Sequence, residues 1–166
     1  MGRGAHAVVN RRRAPRAADF VLRPMTRDDL SQVMRIERAS FEHPWPRSSF
    51  EQELETPISR SLVACPRDDR VRVAGYVVRW LVADEIHLLN LATAPSARGF
   101  GLGRRLLRWL LSEARRRRVA VVLLEVAEAN APARALYESA GFTVVRTRRD
   151  YYGPRQHALV AEWIPA

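Results

Sequence analysis

Apolar and polar positions along this chain recur with two periods, and each period predicts one kind of element. Spacings of three and four residues predict two amphipathic helices, over residues 30–41 and 106–118. Shorter helices are predicted at 48–55 and 132–140. Apolar runs predict strands at 20–25, 61–65, 72–81, 86–94, 119–126, 142–149 and 158–163. This order predicts one α/β domain, a mixed twisted sheet with helices on both faces.

A glycine-rich turn joins the strand at 86–94 to the second long helix. The strand is almost continuously apolar, which predicts burial on both of its faces. Three glycines at alternate positions permit a sharp turn, and the helix that follows directs free backbone N–H groups at an anion. The stretch is neither a Walker A loop nor a GxGxxG loop. We therefore predict a pyrophosphate-binding turn in Arg98-Gly99-Phe100-Gly101-Leu102-Gly103-Arg104.

A carboxylate interrupts the apolar run that follows this helix. The strands at 86–94 and 119–126 flank the helix, so we expect them to run parallel and to open a crevice where they diverge. Glu125 is the charged residue inside the second strand. Because a buried charge needs a partner, Glu125 either pairs with an arginine or acts as a general base. His87 in the first strand is a competing base.

The most specific stretch of the chain runs from Asn130 to Phe142, with Tyr137 inside it. Asn130 stands near a helix start, where an asparagine can serve as a cap or contact a ligand. Together with the glycine turn, this stretch resembles the GNAT acetyltransferases over roughly residues 86–142. The segments Leu124-Glu125-Val126, Ala135-Leu136-Tyr137-Glu138, Arg148-Arg149-Asp150-Tyr151-Tyr152 and the loop 41–45 resemble the RimI type, the ribosomal-protein alanine N-acetyltransferases.

The resemblance implies a fold, a cofactor and a set of site residues. It implies a V-shaped split between two parallel central strands, acetyl-CoA held in the split without a metal, and direct transfer in a ternary complex. It assigns Glu125 as the base and Tyr137 as the acid, whose alternative role is a packed core tyrosine. Cofactor contacts are expected from Leu91, Ala92, Thr93, Arg98, Gly99, Phe100, Gly101, Leu102, Gly103, Arg104 and Asn130.

The acceptor is expected to enter where aromatic residues cluster in the sequence. The predicted mouth consists of Phe41, Glu42, Trp45, Tyr151 and Tyr152. Phe41 and Trp45 have an alternative role, which is to staple the first two helices together. Acidic residues near this loop, namely Glu37, Glu42 and Glu51, could offset the positive charge of the protein toward a basic substrate. We expect an N-terminal α-amine on a small first residue, alanine or serine, of a ribosomal protein.

Composition limits the partners. The chain of 166 residues has a net charge of +10, and all of its basic residues are arginine. The pattern matches no nucleic-acid-binding module, so we do not expect nucleic acid to be the primary ligand. No apolar run reaches membrane-spanning length, and the single Cys65 fits a reducing compartment, so a cytoplasmic protein is expected. Residues 1–18 are predicted to be a disordered basic tail and residues 19–166 the GNAT domain.

Two rival interpretations stay open at this point. One is a GNAT enzyme that acetylates lysine or a small-molecule amine, such as a polyamine. The other is a basic, nucleic-acid-associated protein that has this fold without catalysis. A net charge of +10 disfavours a free polycation as the substrate.

Overall fold

A computed structural model of the chain describes residues 16–166 as one sheet flanked by helices. The strands are β1 (Phe20–Pro24), β2 (Ser59–Pro66), β3 (Gly75–Val82), β4 (Glu85–Thr93), β5 (Val121–Ala127), β6 (Thr143–Gly153) and β7 (Gln156–Trp163). The α-helices are α1 (Leu30–Ser40), α2 (Arg47–Glu55), α3 (Leu102–Arg117) and α4 (Ala131–Ser139). No helix in this part of the chain is long and apolar enough to cross a membrane.

The seven strands form a single mixed sheet in the order β1-β2-β3-β4-β5-β7-β6. Strands β4 and β5 run parallel, and the other neighbours are antiparallel. One apolar cluster lies under α3 and α4, and a second lies under α1 and α2 on the other face. The predicted α/β architecture, a mixed sheet with helices on both faces, is confirmed.

The two parallel strands separate soon after they meet. Pairing between β4 and β5 covers four residues of each strand and ends at Leu88 and Leu124. The register of β4 against β3 shifts at this point, because Val78 pairs with Asn90 whereas Arg79 pairs with Leu88. Leu89 is therefore a bulge, and a bulge bends its strand and increases the local twist. The predicted V-shaped split is confirmed, and the bulge lies at its apex.

The bulge also changes which core the later residues of β4 join. Ile86 and Leu88 pack into the cluster under α3, whereas Ala92 packs into the cluster under α1. Burial along the strand alternates between buried and half-buried residues. The prediction that β4 is buried on both faces is wrong, because every second residue of the strand is only half-buried.

The described chain begins with an ordered turn. The predicted disordered tail covers residues 1–18, of which residues 1–15 lie outside the described part. Ala17–Asp19 forms a 3-10 turn that is held to the domain. The carbonyl oxygen of Ala17 accepts a hydrogen bond from Arg105 at 2.8 Å, and that of Ala18 accepts one from Arg67 at 3.0 Å. The described domain therefore extends to Arg16.

Candidate active site

A pocket of about 540 Å³ opens in the split. The ends of β4 and β5 form its floor, and α4, the segment between α1 and α2, and the β6–β7 hairpin form its walls. Eight residues predicted for the site line this pocket together: Phe41, Glu42, Trp45, Leu91, Glu125, Asn130, Tyr137 and Tyr152. These residues lie far apart in the sequence. They meet around the space that opens where β4 and β5 separate.

Glu125 projects from β5 on the face away from α3. Its neighbours Leu124 and Val126 point into the core, while its own side chain is one third exposed. The expectation of burial is wrong, because β4 has already turned away and solvent reaches this face. The carboxylate Oε1 lies 3.0 Å from Nη1 of Arg148 on β6. Of the two predicted outcomes, the arginine partner is therefore present.

Tyr137 faces the same pocket from α4. Its ring packs edge-on against Phe142, with the ring centroids 5.8 Å apart. Burial raises the pKa of Tyr137 to about 12. The hydroxyl therefore keeps its proton at neutral pH, as a proton donor must.

A buried carboxylate that the sequence did not assign to catalysis also reaches the pocket. Glu37 on α1 is only 1% exposed, and it is one of the residues that line the pocket. Its Oε1 accepts a hydrogen bond from the Trp45 backbone N–H at 2.8 Å, and its Oε2 accepts from Asn90 Nδ2 at 3.1 Å and from the Tyr76 hydroxyl. The sequence carried a signal, since Glu37 stands three residues after Met34 on the apolar stripe of α1.

The glycine turn lies where α3 begins. Gly99 and Gly101 have φ values of +82° and +80°, the left-handed conformation that favours glycine. A Cβ atom added at Gly99 would meet nothing within 4 Å. The N–H groups of the first turn of α3 lack partners inside the helix. Open space beside such N–H groups suits an anionic ligand.

Gly103 plays a different part from the other two glycines. It lies inside α3, and an added Cβ would come within 3.5 Å of Leu136 on α4. The expectation that all three glycines form the sharp turn is wrong for Gly103, because the helix already begins at Leu102. Leu102 itself is buried and packs into the core under α3.

Two other residues predicted to contact the cofactor have structural partners. The Arg98 guanidinium donates to the Ser40 hydroxyl at 3.0 Å and to the Ala39 carbonyl at 3.3 Å, so it ties the turn to the end of α1. The Asn130 side chain accepts from the Ala133 N–H at 3.2 Å and caps α4. The cap alternative for Asn130 is thus observed, although the residue also lines the pocket.

At the mouth of the pocket, the segment between α1 and α2 contacts the β6–β7 hairpin. His43 stacks on Tyr152 with their ring centroids 5.7 Å apart, and its Nε2 lies 3.1 Å from Oε1 of Gln156. Trp45 packs against Phe50 of α2 with the ring centroids 5.3 Å apart, and it also lines the pocket. No local pattern predicts the pairing of His43 with the hairpin, because the two segments meet only in the folded chain.

Several candidate residues lie away from the pocket. Tyr151 is half exposed, packs edge-on against Tyr152 and does not line the pocket. His87, the competing base, lies on the paired part of β4, where its Nε2 is 2.8 Å from Oε2 of Glu85. Ala92, Thr93 and the glycine turn also lie outside the pocket lining.

Within residues 16–166, no cluster of three or more His, Cys, Asp or Glu side chains could hold a metal ion.

Comparison with known proteins shows similarity along most of the chain. The sequence profile of the Acetyltransferase (GNAT) family matches residues 30–142, more than half of the chain. A Salmonella typhimurium protein named ribosomal protein bS18-alanine N-acetyltransferase is 38% identical over 129 residues, which are 77% of this chain and 84% of that protein. The Mycobacterium tuberculosis protein named N-alpha-acetyltransferase RimI is 37% identical over 131 residues, covering 77% and 81% of the two chains.

A solved structure shares the fold. The crystal structure of the ribosomal-protein-S18-alanine N-acetyltransferase from Escherichia coli superposes with a TM-score of 0.79 at 30% identity, and the match covers 87% of this chain and 93% of that one. The fold, the split sheet and the similarity along the sequence all lead to one assignment. This chain belongs to the GNAT acetyltransferase family.

Proposed function

We propose that this protein transfers the acetyl group of acetyl-CoA to the N-terminal α-amine of a protein, with alanine or serine as the first residue. Relatives named for acetylating the alanine of ribosomal protein bS18 support a ribosomal protein as the substrate. Such a substrate places the reaction in the cytoplasm. The observation that carries the proposal is that Glu125 and Tyr137 face one pocket at the apex of the split.

The two side chains can divide the proton transfers between them. Glu125, directly or through a water, takes a proton from the substrate ammonium, so that the neutral amine can attack the thioester carbon. Tyr137, whose hydroxyl is protonated at neutral pH, gives its proton to the departing coenzyme A thiolate as the C–S bond breaks. The attacking nitrogen then loses its second proton, which restores the Tyr137 hydroxyl, and Glu125 releases its proton to solvent. Arg148 holds the Glu125 carboxylate in position through their ion pair. Transfer is direct, in a ternary complex.

The residues of the split and of the turn suit acetyl-CoA. We infer that backbone N–H groups at the start of α3 hold the pyrophosphate. Residues Leu91 to Thr93 of β4, beyond the last pair with β5, are proposed to bind the pantetheine arm and the thioester oxygen. Transfer without a metal stays a prediction.

The charges in the pocket suit a cationic amine. Four carboxylates line the pocket, those of Glu37, Glu42, Glu125 and Glu128, and Arg155 is the arginine among the lining residues. A protein with a net charge of +10 thus presents a locally acidic pocket. This pocket attracts one ammonium group, while the field of the whole protein repels a free polyamine.

A matched pair of peptides tests the proposal. One has a free N-terminal alanine and blocked lysines, and the other has a blocked N-terminus and a free lysine. Intact-mass measurement after incubation with acetyl-CoA is expected to show acetylation mainly of the first. Faster acetylation of the second would move the substrate to lysine, and acetylation of neither, with tight salt-sensitive RNA binding, would favour the non-catalytic alternative.

A further inference from the structure

Glu37 joins the two sides of the pocket, and we propose that it is a positioning residue for the acceptor. It holds the acceptor segment, residues 41–46 between α1 and α2, against the bulged part of β4. The inference rests on the proposed function, since it assigns this segment to the protein substrate. It adds a residue that neither donates nor accepts a proton in the reaction.

The hydrogen bonds of Glu37 run in two directions. Oε1 accepts from the backbone N–H of Trp45, within the acceptor segment, at 2.8 Å. Oε2 accepts from Nδ2 of Asn90 at 3.1 Å, one residue after the bulge at Leu89. One carboxylate therefore fixes the position of the acceptor segment relative to the strand proposed to hold the thioester.

The third partner keeps the carboxylate in place. The Tyr76 hydroxyl donates to Oε2, and burial together with the charge of Glu37 raises the pKa of Tyr76. The hydroxyl is therefore a permanent donor. Tyr76 also packs edge-on against Phe50, which contacts Trp45. The carboxylate and the aromatic side chains thus hold the same segment from two sides.

A comparison with a second buried carboxylate shows what is unusual about Glu37. Glu113 on α3 is equally buried at 1% exposure, and it lies between Arg79 and Arg117 at 2.6 and 2.9 Å. The partners described for Glu37 are instead neutral groups of three separate elements, and its side chain reaches the pocket. Glu113, buried with its two arginines, links α3 to the sheet. Glu37 instead orients a segment that lines the pocket.

The proposal predicts a specific kinetic effect. Loss of Glu37 should loosen residues 41–46 without disturbing the glycine turn, so the KM for an N-terminal alanine peptide should rise while acetyl-CoA affinity holds. Glu37→Met keeps the side-chain length and removes both acceptors, and we expect a rise of about tenfold, the equivalent of one hydrogen bond. Glu37→Gln keeps an oxygen for the Trp45 N–H and should show a smaller rise.

Glu113→Gln is the matched control. It changes an equally buried carboxylate on the other face of the sheet, so it should lower the melting temperature and leave the peptide KM unchanged. Hydrogen exchange in the absence of substrates gives a second readout. The Trp45 amide is expected to exchange faster in Glu37→Met than in the wild type or Glu113→Gln, because it loses its acceptor.

The outcomes separate this inference from the proposed function. A folded Glu37→Met variant with wild-type peptide KM and wild-type exchange at Trp45 would overturn the positioning role. An equal loss of acetyl-CoA affinity would also overturn it, since the effect would then not be confined to the acceptor side. If the wild-type protein fails to acetylate the peptide, the proposed function fails, and the Trp45 exchange still decides whether Glu37 holds the segment.

Discussion

Glu125 and Arg148 form an ion pair, with 3.0 Å between Oε1 of Glu125 and Nη1 of Arg148. The contact joins β5 to β6, which β7 separates, and it lies at the edge of the pocket. Since both side chains are partly exposed, solvent screens the attraction and the pair adds little to stability. Its importance is that it orients the proposed base.

The first prediction concerns this base. Glu125→Gln should lower kcat by about a hundredfold or more, the usual contribution of a positioned base, and leave acetyl-CoA affinity unchanged. Steady-state kinetics with an N-terminal alanine peptide measures the effect. Glu128→Gln removes another pocket carboxylate and should change kcat much less. Comparable losses in both variants would indicate a general effect of pocket charge instead of base catalysis.

The second prediction concerns Tyr137. Tyr137→Phe should lower kcat by on the order of a hundredfold, because no other group is assigned to protonate the thiolate. Since the pKa of Tyr137 is raised to about 12, its hydroxyl should stay protonated far above neutral pH. Activity should therefore show no fall caused by Tyr137 ionisation below that pH. Wild-type turnover in a folded Tyr137→Phe variant would leave the residue with a packing role only.

The third prediction separates two glycines of the turn. Gly101→Val places a β-branched residue at φ +80°, which costs about 1–2 kcal/mol and should weaken acetyl-CoA binding. Gly103→Ala should be tolerated, since its Cβ would meet Leu136 at an ordinary contact distance of 3.5 Å. Titration calorimetry with acetyl-CoA compares the two variants. Equal affinity in both would show that the conformation at Gly101 does not matter for binding.

The sequence predicted the architecture well because local patterns determine it. The glycine turn, the two apolar strands and the stripe of α1 placed the parallel pair and its crevice correctly. Burial of Glu125 was predicted wrongly because it depends on the bulge at Leu89, which shows only when β4 is aligned with β3. The link between Glu37 and Asn90 is likewise formed only by the fold, since 53 positions separate the two residues.

The fourth prediction concerns stability in acid. Burial acts to raise the pKa of Asp29, but hydrogen bonds from Arg23 and Thr26 outweigh it and lower the pKa below its ordinary value of 3.8. The stability that Asp29 contributes is therefore present above that value and lost as the pH falls through its folded-state pKa. Asp29→Asn should cost about 1–3 kcal/mol near neutral pH and less in acid. Chemical denaturation at several pH values measures the difference, and a constant cost down to low pH would contradict it.

The last prediction concerns the acceptor amine. An α-amine has a pKa of about 8, so its neutral fraction rises about tenfold per pH unit below that value and then levels off. A lysine amine has a pKa of about 10.4 and continues to gain neutral form. We therefore expect kcat/KM for an N-terminal alanine peptide, measured at saturating acetyl-CoA, to rise with pH and to level off near pH 8. Tyr137 keeps its proton over this range, so the acid does not limit the profile. A rate that continues to rise by about tenfold per unit beyond pH 9 would contradict the prediction, because ionisation of the α-amine would then not control the rate.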